Sequence, residues 1–367
     1  MEKLKTTSNR ILALDGLRGI AVSMVLFWHF VLCTIPIEGG TGMGYLYKSF
    51  KHFYSGVDLF FVLSGFLITG ILLNDIGKPR WLKDFWIRRS FRILPIYALF
   101  LVVVLSLNYL PGERTGGFFS APSPKWPYFV MLQNFAMASS NSLGSWGITW
   151  SLAIEEQFYL VFPLLLTSAC ARAWLPMLCL LGIAGSLLLR INGEYLYSFV
   201  LSHYRLDGLA AGAACAWVVR KPEMHKWFRN HWGGLLLAVG LVAMVGITLR
   251  ARERHPIDHT VFAVFYASII MFAILNKNSW LTWLLSSSAL RFLGAISYPL
   301  YLFHEIVAWA IHLMMGRPVS NGAHFWLTAF LAAFVSVLLA WAINRYLGQP
   351  MLNFGRRLIA GNPGSVR

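Results

Sequence analysis

The chain has 367 residues, 57% of them hydrophobic and only 13% charged, with a net charge of +16 and a mean hydropathy of +0.60. A soluble domain carries about 25% charged residues, so this chain has too few to cover a water-facing surface of its size. The apolar content and a complement of only four cysteines exclude disordered, collagen-like and disulfide-framework classes; what remains is a polytopic membrane protein.

A bilayer core about 30 Å thick needs about 20 apolar residues per helix. The pattern predicts an all-α membrane bundle with spans at Ile11–Ile35, Val57–Leu73, Ile93–Leu110, Trp150–Ser168, Trp174–Leu189, Arg205–Val219, Gly233–Leu249, Thr260–Asn276, Ala289–Met314 and Phe325–Leu347. An amphipathic piece is expected within Trp126–Ala136, in the long connection Pro111–Gly147. The cations sit in short gaps between apolar runs, where they orient helices, rather than on one soluble face as in nucleic-acid binders. Membrane lipids are therefore expected partners, and nucleic acid is not. With the N-terminus in the cytoplasm, nineteen Lys and Arg fall on that side and ten on the other, which predicts both termini inside. Residues 1–10 then read as a cytoplasmic tail, 11–347 as the membrane domain, and 348–367 as a second cytoplasmic tail with no appended domain. Cys33, Cys170, Cys179 and Cys215 lack CxxC spacing and read as small buried apolar residues, with no metal site expected.

A charged side chain near the bilayer centre costs at least about 2.5–3.5 kcal/mol, so each one needs a reason. In the first span these are Asp15, Arg18 and His29. Arg18 and His29 are eleven residues apart, three turns plus about 20°, so they share one helix face roughly 16 Å apart. The alternative is an Asp15–Arg18 pair with a core histidine. In the second span Asp58 stands at the helix start, where a carboxylate caps orphan amides. Ser64 and Gly65 read as a close-approach pair. At the third, Arg89 and Arg92 are three apart, so both guanidinium forks can converge on one anion, with a positive-inside anchor as the alternative.

The fourth span carries Glu155 and Glu156, suited to acid–base work if buried or to headgroup hydration if not. Arg205 and Asp207 are two apart on different faces, which predicts partners on other helices. In the ninth span His304 falls near mid-membrane with Glu305 beside it, in a hydrogen-bonding or a catalytic role. No HExxH, Walker or GxSxG motif occurs. The available chemistry is imidazole, carboxylate and guanidinium within a membrane bundle.

In order along the chain, Leu14–Arg18 with Trp28 and His29, Gly56–Thr69, Arg89–Pro95, Trp150–Pro163 and Ile296–His304, with Arg205–Gly212 as a weaker sixth element, resemble the membrane-bound acyltransferase 3 family. That family O-acylates envelope carbohydrates, and the resemblance spans about residues 10–347. It implies acyl-CoA (acetyl-CoA above all) as a donor substrate reached from the cytoplasm, with no tightly bound cofactor. It implies a saccharide or lipid-linked saccharide acceptor on the outer side, and a bacterial cytoplasmic membrane location. His29 becomes the base on the acceptor hydroxyl, Glu155 the carboxylate that orients it, and Arg18, Arg89 and Arg92 the donor-phosphate ligands. Asp58, Trp150, Ser151, Arg205, Asp207, Tyr301 and His304 become structural or acceptor-side residues. Glu305 and Ile306 stand where relatives commonly carry Trp-Pro. Two other classes stay open from the residues themselves: a proton-coupled transporter or flippase using the same acids and histidines, and a structural or signalling membrane subunit.

Overall fold

The computed structural model describes residues 11–34, 42–109, 124–144, 146–227, 233–249, 255–316 and 322–361. The expected N-terminal tail, residues 110–123 of the long connection and the basic loop at 250–254 lie outside the described residues. Regular structure among the described residues is helical, with no strand. Ten helices fall at the apolar runs: α1 (Leu12–Phe30), α2 (Gly56–Asp75), α3 (Trp81–Leu107), α4 (Trp150–Leu165), α5 (Leu175–Asn192), α6 (Leu206–Val218), α7 (Gly233–Leu249), α8 (Asp258–Leu275), α9 (Ser288–Met315) and α10 (Ala323–Ile343). Six helical segments are long and apolar enough to cross a bilayer: Leu12–Thr34, Gly42–Asp75, Trp81–Leu107, Leu175–Asn192, Asp258–Leu275 and Ala323–Ala360.

Several boundaries differ from the hydropathy reading. The third helix starts at Trp81 rather than Ile93, so the arginine cluster is itself helical. Arg and Lys are good helix formers, and hydropathy marks where lipid ends, not where a helix does. A π-turn at Asn344–Gly348 follows α10 and leads into an eleventh helix, α11 (Gln349–Ala360), within the expected tail. Pro350 sits in its first turn, where a missing N–H costs nothing. The piece expected within Trp126–Ala136 is a 3-10 turn, Trp126–Phe129, and a short helix, Gln133–Ser139. Cys179 and Cys215 are buried, whereas Cys33 and Cys170, near helix ends, are exposed.

Lipid tails are as apolar as leucine, so helices associate in a bilayer through close packing and polar contacts rather than by escaping water. Glycines set the closest approaches here. A Cβ on Gly294 of α9 would stand 1.9 Å from the Asp15 carbonyl oxygen of α1, and one on Gly16 would stand 1.7 Å from that of Leu285. Between α2 and α6, a Cβ on Gly65 would lie 2.0 Å from the Leu209 oxygen, and one on Gly212 2.0 Å from the Val62 oxygen. Backbone therefore touches backbone at both crossings. These contacts hold α1, α2, α6 and α9 around the polar interior.

Candidate active site

Five helices meet around one cavity. Arg18 enters it from α1, Ser64 from α2, Arg89 and Arg92 from α3, Ser151, Glu155 and Tyr159 from α4, and Tyr298 and Tyr301 from α9. The i,i+3 spacing on α3 puts both guanidinium groups on the cavity side, as expected. Three arginines against one glutamate make the lining cationic, which suits a phosphate-bearing ligand. Arg89 lies over the Tyr159 and Phe85 rings at 5.4 and 5.8 Å, which fixes where its charge sits. Ser64 Oγ donates to Glu155 Oε1 at 2.5 Å and accepts from the Tyr159 hydroxyl at 3.0 Å. Gly65 does serve close packing; Ser64 instead holds the acid.

Tyr301 closes one side of this cavity. Its hydroxyl donates to the Ile148 carbonyl at 2.8 Å and lies 2.8 Å from Ser151 Oγ. Beyond it the Tyr301 ring lies 5.9 Å from that of His304, and the His304 ring 4.7 Å from that of His29. His29 is therefore two ring contacts behind the arginine cavity, and is not among the residues lining it.

The carboxylate beside His29 is Glu305, not Glu155. His29 Nε2 stands 3.5 Å from Glu305 Oε1, with both side chains about a quarter exposed (28% and 26%). The orienting role expected for Glu155 is corrected accordingly: Glu155 is engaged by Ser64 at the cavity, and α9 supplies the acid to the imidazole. His29 Nδ1 lies 2.8 Å from the Val25 carbonyl oxygen, and His304 Nδ1 2.6 Å from that of Tyr301. A carbonyl oxygen only accepts, so each Nδ1 carries the hydrogen and each neutral ring keeps its lone pair on Nε2. His304 is fully buried, and its Nε2 has no hydrogen-bond partner among the described residues. Donor atoms of His29, His304 and Glu305 lie within 4.8 Å of one another, so among the described residues this group has the donors for a transition-metal ion.

The remaining expected residues form a separate buried layer. Arg205 Nη2 donates to Asp58 Oδ1 at 2.8 Å, and His259 Nδ1 lies 3.2 Å from the same oxygen. The Arg205 guanidinium is boxed by the Phe61, Trp150 and Phe199 rings at 5.4–5.8 Å, so Trp150 acts as a platform for a cation. Asp207 accepts from Arg190 Nη2 at 2.6 Å and from Thr260 at 3.1 Å. The interhelical partners expected for Arg205 and Asp207 are thus Asp58 and Arg190. The capping role expected for Asp58 is corrected: it sits in the first turn of α2, engaged by Arg205 and His259. A buried carboxylate gains more from a fixed guanidinium than from amides that water can reach. Arg190, His259 and Tyr159 escaped sequence reading, and Ser64 was read in another role, because nothing local marks a residue whose partner is on another helix.

A family model described as an acyltransferase domain, the acyltransferase 3 type, matches residues 11–345. The peptidoglycan O-acetyltransferase OatA of Listeria monocytogenes is 31% identical over 80% of this chain and 48% of its own length. A Bacillus subtilis protein provisionally named as a peptidoglycan O-acetyltransferase, YrhL, is 30% identical over 88% of this chain and 52% of its own length. A Staphylococcus aureus protein provisionally named as an O-acetyltransferase, SACOL0978, is 28% identical over 82% and 51%. The chain spans about half the length of the curated relatives it matches. No solved structure matches it.

Proposed function

The chain belongs to the acyltransferase 3 family, and from that membership we propose that it is a membrane O-acyltransferase moving an acyl group, acetyl by the names of its relatives, from cytoplasmic acyl-CoA to a hydroxyl of a cell-envelope saccharide. In this reading it is a ten-span protein of a bacterial cytoplasmic membrane with both termini inside. The observation that carries it is the meeting of Arg18, Arg89 and Arg92, from two helices distant in sequence, around one cavity.

The geometry supports a division of labour. The arginine forks hold the donor's phosphates, and Glu155, held by Ser64, offsets part of the repulsion among the three cations. His29 presents an Nε2 lone pair, the atom needed to take a proton from a weakly nucleophilic sugar hydroxyl as it attacks the thioester carbon. Because Tyr301 lies between the cavity and the histidines, the acyl end of the donor passes this side chain to meet the acceptor. The relatives' printed names point to peptidoglycan as the acceptor.

Purified protein incubated with radiolabelled acetyl-CoA and soluble peptidoglycan fragments tests this reading. Label should appear as an alkali-labile ester on the glycan, and His29→Ala at normal yield should lose it. A protein that leaves the thioester intact returns the reading to proton-coupled transport.

A further inference from the structure

Glu305 is an acid within the apolar helix α9, and its place beside a histidine needs a reason. It is one residue past His304 on α9, so the two side chains leave the helix about 100° apart. They contact His29 in different ways. The His304 ring packs edge-on against the His29 ring at 65° between planes, and the Glu305 carboxylate lies off its Nε2. The Val25 carbonyl fixes Nδ1 from the other side of the ring. The imidazole is thereby held in orientation and in tautomer, with its one basic nitrogen turned toward a carboxylate. At 3.5 Å that pair is long for a strong hydrogen bond and close enough for an ion pair once Nε2 is protonated. Such an arrangement favours the imidazolium that forms during proton transfer over the neutral ring that precedes it.

We propose that Glu305 is the positioning residue for His29, an inference that rests on the acyl-transfer reading above. The acceptor hydroxyl gives its proton to His29 Nε2 while its oxygen bonds to the acyl carbon. The carbon–sulfur bond breaks, the CoA thiolate leaves with the electron pair, and the proton on Nε2 passes to that thiolate. The Glu305 carboxylate, 3.5 Å from Nε2, stabilises the cation formed there. His304 packs edge-on against the His29 ring, its own Nδ1–H held by the Tyr301 carbonyl.

The test is steady-state transfer by wild type, Glu305→Gln and Glu305→Asp, each checked for yield and thermal midpoint. Glu305→Gln keeps the shape and removes the charge. Its kcat should fall about 10–100-fold with KM for both substrates within twofold, less than the roughly 10²–10⁴-fold contribution of a general base itself, because Glu305 acts through His29. Glu305→Asp should fall less than Glu305→Gln, because the charge remains about one methylene further away. A Gln variant with at least half the wild-type kcat, equal losses in Gln and Asp, or a change confined to KM overturns the proposal. Should Glu305→Gln not accumulate, Glu305→Met, of similar volume and uncharged, takes its place with the same expectation. One equivalent of transition metal in the purified wild type, lost in Glu305→Gln, also overturns it, because a metal on Nε2 leaves no lone pair for the hydroxyl. A wild type that transfers nothing removes the acyl-transfer reading and this inference together, whereas an active wild type with a fully active Gln variant removes this inference alone.

Discussion

Arg205 donates to Asp58 at 2.8 Å across 147 positions of sequence, tying the start of α6 to the first turn of α2 with both side chains at most 3% exposed. A pair this deep repays its desolvation only while both members are present. Asp58→Ala should therefore destabilise the protein by about 3–5 kcal/mol, seen as a lowered thermal midpoint in detergent. The apolar double variant Asp58→Leu, Arg205→Met should regain most of that loss. A midpoint unchanged in Asp58→Ala would show that the pair contributes nothing net.

The arginine cavity makes a prediction about charge and shape together. Losing one charge-assisted contact costs about 1.5–3 kcal/mol, so Arg92→Ala should weaken acyl-CoA binding about 10–100-fold by calorimetry. Arg92→Lys should recover only part of it, because an ammonium lacks the planar fork. Equal affinity in all three proteins would move the donor elsewhere.

Tyr301 and Ser151 should differ although they touch. Tyr301→Phe removes a 2.8 Å bond to the Ile148 carbonyl as well as the contact with Ser151, while Ser151→Ala removes that contact and only a long, 3.4 Å bond to the same carbonyl. At about 0.5–1.5 kcal/mol per bond, the tyrosine variant should show the larger drop in thermal midpoint. The reverse order would mean that Ser151 is the anchor.

Helix approach is open to a paired steric test. Gly212→Val puts a branched side chain where even a Cβ would meet the Val62 oxygen at 2.0 Å, so this variant should not accumulate as folded protein. Gly185→Val, on α5 where a Cβ meets nothing within 4 Å, should accumulate normally. Both are read by fluorescence-detected size exclusion.

Hydropathy located the helices because lipid leaves a coarse signature, and the i,i+3 arginines were legible because three residues span nearly one turn. The same local logic misassigned Glu155. Both Glu155 and Glu305 lie in apolar runs near candidate residues, and only the packing of α9 on α1 decides which acid meets His29. The Asp58 cap was a sound local reading overruled from another helix, and nothing near Arg190 in sequence marks it as the partner of Asp207. Family resemblance named the imidazole; it did not name the carboxylate that α9 sets beside it.

Since α1 and α9 touch backbone to backbone where Gly294 meets Asp15, and meet again where Glu305 faces His29, they run in the same direction in a fixed register. One codon gained or lost between positions 294 and 305 would turn the acid about 100° and slide it about 1.5 Å along the axis, stranding it from His29. Over evolutionary time this stretch is free to drift in spelling but held to its length, while insertions and deletions are left to the connections between helices.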